Sequence, residues 1–184
     1  IDSAETVLPL SEPLGDIKLK EGVLLGIDLG RTAIKIAVIK DGEITFSKLV
    51  PWNPAEIKEA KGHIDNIQRA VEEVAAEKNI ELKEIAAIGI SWSGKVVEGK
   101  PAARIDTIDK GLSQQEFDKL SNLAEELSQR LGVFTWVTND GDSQGFGAAA
   151  HFGKKNSVTF GMGGGLSFSY SDENLNLPDI LGEG

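Results

Sequence analysis

A short unbroken apolar run from Val23 to Ile27 has the pattern of a buried strand. It stops at Asp28-Leu29-Gly30-Arg31-Thr32, and apolar residues resume between Ile34 and Ile39 as a second strand. Asp41-Gly42 then signals a two-residue hairpin, whose central residues must accept positive φ. With a third strand from Glu43 to Val50, the pattern predicts an antiparallel meander. Asn53-Pro54-Ala55-Glu56 supplies an N-cap candidate, a proline at the first helical position and an acid in the first turn. Behind it Ile57, Ala60, Ile64, Ile67, Val71 and Val74 recur every three or four residues, the apolar face of one helix. Ile85 to Ser91 reads as a fully buried strand, and an irregular stretch runs on to Gly111. Ser113-Gln114-Gln115-Glu116 is a capping box, and Phe117, Leu120, Ala124, Leu127 and Leu131 continue it as a single amphipathic helix that Gly132 ends. Val133 to Val137 is the next strand, and Gly145 to Phe152 a short Ala-rich helix. Two more strands, 157–160 and 166–170, flank a glycine cluster.

The order is therefore β-β-β-α-β-α-β-α followed by a β-β pair. A meander that leads into alternating helices and strands implies an α/β fold with a mixed five-stranded sheet and helices on its faces. Residues 1–20, with Pro9, Pro13 and Gly15 and no sustained period, read as an arm. Residues 21–153 form one domain. Residues 154–184 begin a second, because two strands alone bury too little to stand as a domain. The chain starts at Ile1 and closes on Gly182-Glu183-Gly184 soon after a strand pair, so it is expected to be the N-terminal piece of a longer chain.

Composition narrows the functions. The 184 residues carry a net charge of −10, which argues against a nucleic-acid partner, since phosphate neutralisation needs clustered Lys and Arg. No apolar run approaches the ~18 residues of a membrane span, and no export signal opens the chain, so a cytoplasmic setting is expected. Without cysteine there is no disulfide, thiolate metal site or cysteine nucleophile in this segment. His63, beside the apolar face of the long helix, and His151 have no partner at metal-ligand spacing. Trp52 and Trp136 read as packing residues, and Trp92, in the glycine-bounded loop after a strand, stays open as a ligand contact.

Candidate chemistry gathers in polar, glycine-bearing stretches that follow strands: 28–35, 91–94, 139–145 and 161–165. Ligands of α/β sheets collect at such strand ends. In the first, backbone amides around Gly30 with the Thr32 hydroxyl suit phosphate oxygens, while Asp28 needs an intervening Mg²⁺ or water. The bland alternative is a hairpin with Asp28 and Thr32 capping its turn. Gly161-Met162-Gly163-Gly164-Gly165 is a second phosphate cradle or a tight hairpin. At Asn139-Asp140 a carboxylate can take a proton from a bound hydroxyl; the alternative is an N-cap, with Asp140 or Asp142 bonding the free amides.

These residues carry a resemblance. Gly26-Ile27-Asp28-Leu29-Gly30-Arg31-Thr32-Ala33-Ile34-Lys35 resembles the first phosphate motif of the sugar kinase, hsp70 and actin superfamily. Asn139-Asp140 with Gly147-Ala148-Ala149 is similar to the signature of its ROK group (repressors, open reading frames, kinases), and 161–165 to the second phosphate motif. The resemblance covers residues 22–170 and implies a ribonuclease H-like, actin-type ATPase domain, here with the first strands of a truncated second domain. It further implies a glucokinase-like sugar kinase using ATP and Mg²⁺. Asp140 would be the catalytic base, and Asn139, Ser93, Gly94 and Glu183 would meet the sugar. Asp28, which would hold Mg²⁺ through water, joins Gly30, Arg31, Thr32, Lys35, Gly161, Gly163, Gly164 and Gly165 around the phosphates. A homodimer is common among such proteins. Arg31 stands where ROK kinases carry Gly, Asp142 where they carry a second Asn, and Met162 where they carry Thr; the Pro-Gly near Ser93-Gly94 is absent. The departures keep two alternatives in view: a non-catalytic sugar sensor, and an ATPase with a non-sugar acceptor. The segment alone is expected to be inactive.

Overall fold

The computed structural model describes residues 22–162 and 166–174. Strands β1 (Val23–Leu29), β2 (Ala33–Lys40), β3 (Glu43–Pro51), β4 (Ile85–Trp92) and β7 (Thr135–Asn139) form a five-stranded sheet in the order β3-β2-β1-β4-β7. Between β4 and β7 lie the two-residue strands β5 (Val96–Val97) and β6 (Lys100–Pro101), then helices α2 (Gln114–Leu120) and α3 (Leu123–Leu131). Helix α1 (Ala60–Glu77) precedes β4; α4 (Asp140–Phe152) and the antiparallel pair β8 (Ser157–Met162) and β9 (Leu166–Ser171) follow β7. The sheet is mixed, β1 pairing antiparallel with β2 and parallel with β4. This is the α/β architecture expected from the sequence.

The meander forms because alternate residues are apolar and the turn residues match their conformations. Leu25, Ile27 and Leu29 of β1 and Ile34, Ile36 and Val38 of β2 are buried, while Asp41 (φ 54°) and Gly42 (φ 81°) supply the positive φ of a type I′ turn. β3 lies at the edge and leaves Ile44 and Leu49 exposed. β4, next to β1, buries Ala87 and Ile88 in succession, so both of its faces are covered. Ile64, Ile67, Val71 and Val74 of α1 and Leu123, Leu127 and Leu131 of α3 complete one core with these strands.

Among the described residues the chain divides after Thr138 into two compact units. The first holds the sheet as far as Thr138 with α1–α3. In the second, α4 packs on the β8–β9 pair. A Cβ built on Gly145 would fall 1.5 Å from Ser169 Oγ, so the helix reaches this separation only with glycine there.

Three helix boundaries differ from the sequence expectation. The Asn53-Pro54 signal starts only a 3₁₀ turn, Pro54–Glu56; Asn53 makes no side-chain cap, Ile57 is extended, and α1 begins at Ala60. Gly111 packs against this turn so closely that a Cβ would stand 2.3 Å from Ile57 O. The helix after Ser113 is two helices, broken at Ser121–Asn122. Ser113 Oγ accepts from Glu116 N as expected, but the Glu116 carboxylate accepts instead from Ala60 N at 2.9 Å, one of the amides that the start of α1 leaves free. Finally, α4 starts five residues before Gly145, because Asn139 caps it.

Candidate active site

Asp28, near the end of β1, is the register partner of Lys35 on β2, and Lys35 Nζ donates to Asp28 Oδ2 at 2.6 Å. On its other side Asp28 is in register with Ser91 of β4, so the first phosphate candidate and the loop after β4 leave the sheet side by side. At the tip between β1 and β2, Gly30 N donates to Ala33 O at 3.1 Å, and a Cβ on Gly30 would stand 2.9 Å from that oxygen. Arg31, Thr32 and Lys35 are exposed. Two cations and a hydroxyl at one hairpin tip suit an anion such as phosphate.

Trp52, which the sequence offers only as a packing residue, braces this tip. Its indole N–H donates to Gly30 O at 2.7 Å and its backbone N–H to Thr32 O at 3.2 Å. Counting out from the Asp41-Gly42 turn would set Pro51 opposite Thr32; the register shift between Val38 and Ile39 moves Trp52 there instead, and nothing in the sequence signals that shift.

Trp92, which is 1% exposed, is the last residue of β4 and not a loop residue as the sequence suggests; the loop then runs through half-buried Ser93 and Gly94. Gly94 has φ 121°, and a Cβ there would meet the Ile105 side chain at 3.0 Å, so position and conformation both require glycine. The buried Asp109 carboxylate orders the far end by accepting from Ile105 N and Thr107 N, each at 3.0 Å. Three buried polar atoms here have no partner: Trp92 Nε1, Arg104 Nε and Thr107 Oγ1. Such atoms cost stability unless a ligand or water meets them, which keeps Trp92 open as a contact and adds Arg104 and Thr107, absent from the sequence expectation.

In the second unit Asn139 is buried, and its Oδ1 accepts from Gly141 N at 2.8 Å and Asp142 N at 3.3 Å. The capping residue is thus Asn139, while Asp140, inside the helix, shares the Gly141 amide. Asp140, the first helical residue, is half-buried and accepts from Gly141 N at 2.9 Å, which sets a carboxylate at the positive end of the helix dipole. Gly161, on β8, is half-buried and in register with Ser167. Gly163, Gly164, Gly165 and Glu183 lie outside the described residues, as does the arm expected at 1–20. No group of three His, Cys, Asp or Glu side chains among the described residues could hold a metal ion, and no described helix is long and apolar enough to cross a membrane.

No protein-family model and no curated protein matches the sequence. Solved structures do. The polyphosphate/ATP-glucomannokinase of Arthrobacter sp. strain KM matches with a TM-score of 0.65 at 20% identity over 87% of this chain and 62% of its own. The ROK hexokinase of Thermus thermophilus matches at 0.66 and 18%, over 88% of this chain and 51% of its own. A ROK family transcriptional regulator, a homologue of the E. coli MLC protein, matches at 0.65 and 15%, over 90% and 40%. The chain therefore shares the fold of these two kinases and this regulator, and spans 40% to 62% of their lengths.

Proposed function

We propose that this chain is the N-terminal part of an ATP-dependent, ROK-type kinase that phosphorylates a sugar hydroxyl. The observation that carries the reading is the hairpin, where Lys35 pairs with Asp28 and Arg31 and Thr32 are exposed at the tip, on a fold shared with two sugar kinases. Residues 21–153 are the first ATPase-type domain in this reading and 154–184 the start of the second, in a cytoplasmic protein that can form a homodimer.

ATP is the co-substrate. Gly30, Arg31, Thr32 and Lys35 are the first set of contacts to its phosphates in this reading, and Gly161, Gly163, Gly164 and Gly165 the second. Asp28 suits Mg²⁺ held through water: it is a half-exposed carboxylate, and Mg²⁺ is commonly bound by one or two carboxylates together with substrate phosphates. That ion neutralises phosphate charge. Asn139, Ser93, Gly94 and Glu183 hold the sugar. Asp140 accepts the proton of the sugar hydroxyl as its oxygen bonds to the terminal phosphorus and the bond to ADP breaks.

A second reading, a sugar sensor without turnover, draws on the ROK regulator among the similar structures and on the Lys35 ammonium seated on Asp28. An ATPase with a non-sugar acceptor is the third. The test is ADP release by the full-length protein with ATP–Mg²⁺ against a panel of hexoses and amino sugars, beside Asp140→Asn. Release that needs one sugar and falls about 10²–10⁴-fold in the variant is expected for the kinase. Release without sugar marks the ATPase, and sugar binding without release the sensor.

A further inference from the structure

The hairpin at 28–35 and the loop at 92–111 are joined by a run of buried contacts. From the hairpin, the Gly30 carbonyl accepts from the Trp52 indole at 2.7 Å. The Trp52 ring meets the His63 ring edge-on, with centroids 5.8 Å apart and planes at 81°. His63, near the start of α1 and 1% exposed, sets its Nε2 2.8 Å from Ile108 O and its Nδ1 3.4 Å from Glu59 O. A carbonyl only accepts, so Nε2 carries the hydrogen of that shorter bond. Ile108 adjoins Asp109, the carboxylate that fixes the Ile105 and Thr107 amides. Trp52, His63, Ile108 and Asp109 are all buried, and close-packed interiors pass displacements on instead of absorbing them.

A buried histidine on a helix is usually a satisfied core residue. Two features set His63 apart. Its strong bond leaves its own helix for a loop far along the chain, and its other neighbour is the residue that grips the hairpin tip. We propose that His63 and Trp52 are positioning residues that couple the 92–111 loop to the 28–35 hairpin, so that a sugar held at the loop and a nucleotide held at the hairpin change each other's affinity. The inference rests on the kinase reading above. A ligand that moves the Ile105–Asp109 turn shifts Ile108 O, and through His63 and Trp52 it re-aims the Gly30 and Thr32 carbonyls. Linkage makes the effect reciprocal.

Calorimetry on the full-length protein tests this, with a non-hydrolysable ATP analogue and Mg²⁺ titrated with and without a saturating aldohexose. Wild type should show a coupling factor within the usual range of about 5–150-fold. His63→Leu, which keeps bulk but no donor, and Trp52→Phe, which keeps the ring but not the N–H, should each bring the factor close to one. His63→Gln, which retains an N–H for Ile108 O, should restore most of it. The indole N–H resonance of Trp52 should shift on adding sugar alone to wild type and stay fixed in His63→Leu, a response that a merely structural histidine would not govern. Independent binding in wild type, or coupling unchanged in both His63→Leu and Trp52→Phe, overturns the proposal. Failure of both ligands to bind overturns the kinase reading beneath it, which is a distinguishable result.

Discussion

Asp28 and Lys35 face each other across the β1–β2 hairpin, and their side chains close to 2.6 Å. Lys35 and Asp28 are 57% and 44% exposed, so as an ion pair they add less than about 1 kcal/mol to stability. Their value lies in what they offer a ligand. Lys35→Met should leave the unfolding midpoint almost unchanged and weaken ATP–Mg²⁺ binding at least about tenfold, the scale of one charge-assisted hydrogen bond. Unchanged nucleotide affinity by calorimetry would remove Lys35 from the phosphate set.

Gly145→Ala should destabilise the second unit by about 1–3 kcal/mol, because the new methyl group collides with Ser169 Oγ and Cβ, at 1.5 and 2.7 Å. Adding Ser169→Gly should recover most of the loss and Ser169→Ala much less, since the Cβ is itself in the way. Urea denaturation of the four proteins separates the cases; equal recovery by both partners would contradict this packing.

Asn139→Ala removes the acceptor for Gly141 N and Asp142 N and should cost about 1 kcal/mol, the usual worth of an N-cap. Asn139→Asp keeps a capping oxygen and should stay near wild type in stability. If Asn139 also meets the sugar, Asn139→Asp will lose sugar affinity while keeping its melting temperature. A variant unchanged in both would leave Asn139 a cap alone.

Hydrogen bonds from Lys61, first, and Arg130, second, hold the Asp65 carboxyl below the usual carboxylate range. A lowered folded-state pKa stabilises the fold above the unfolded value, about pH 4, and that contribution disappears as pH falls through the folded value. The Asp65 side chain is 43% exposed, so water screens the effect to a fraction of the ~1 kcal/mol ceiling for surface pairs. Asp65→Asn should therefore melt slightly lower than wild type at about pH 6 and converge on it near pH 2. A constant gap across that range would show that the pair does not set the difference.

The strands of the five-stranded sheet, unlike the two-residue strands β5 and β6 in a stretch that reads as irregular, were legible because each is an apolar run or alternation bounded by turn residues, and Asp41-Gly42 marked the β2–β3 hairpin by its φ requirement. The helix boundaries were less so. Pro54 marks a helical turn, but the turn stops after Glu56, where Gly111 packs closely against it; Glu116 fits a capping box, yet its carboxylate serves the helix next to it. Lys35 entered only with the family resemblance, whereas Asp28, Gly30 and Thr32 were singled out from local chemistry. His63 was not, because its strong bond is to a backbone carbonyl, and any residue type at position 108 would present the same oxygen. Arg104 and Thr107 escaped notice for a related reason: nothing in the sequence tells a loop side chain that is buried without a partner from one in water.

The sheet order also sets a schedule for folding. β1 pairs on one edge with β2, joined to it by three residues, and on the other with β4, which arrives only after β3 and the whole of α1. Short-range closures cost less entropy than long ones, so the β1–β2–β3 meander can assemble first, with one side of β1 still unpaired. Until β4 docks, Ile27 and its neighbours present an open strand edge to any other chain, including a second copy of this one. The strand that carries Asp28 is thus the one most in need of its later partner during synthesis.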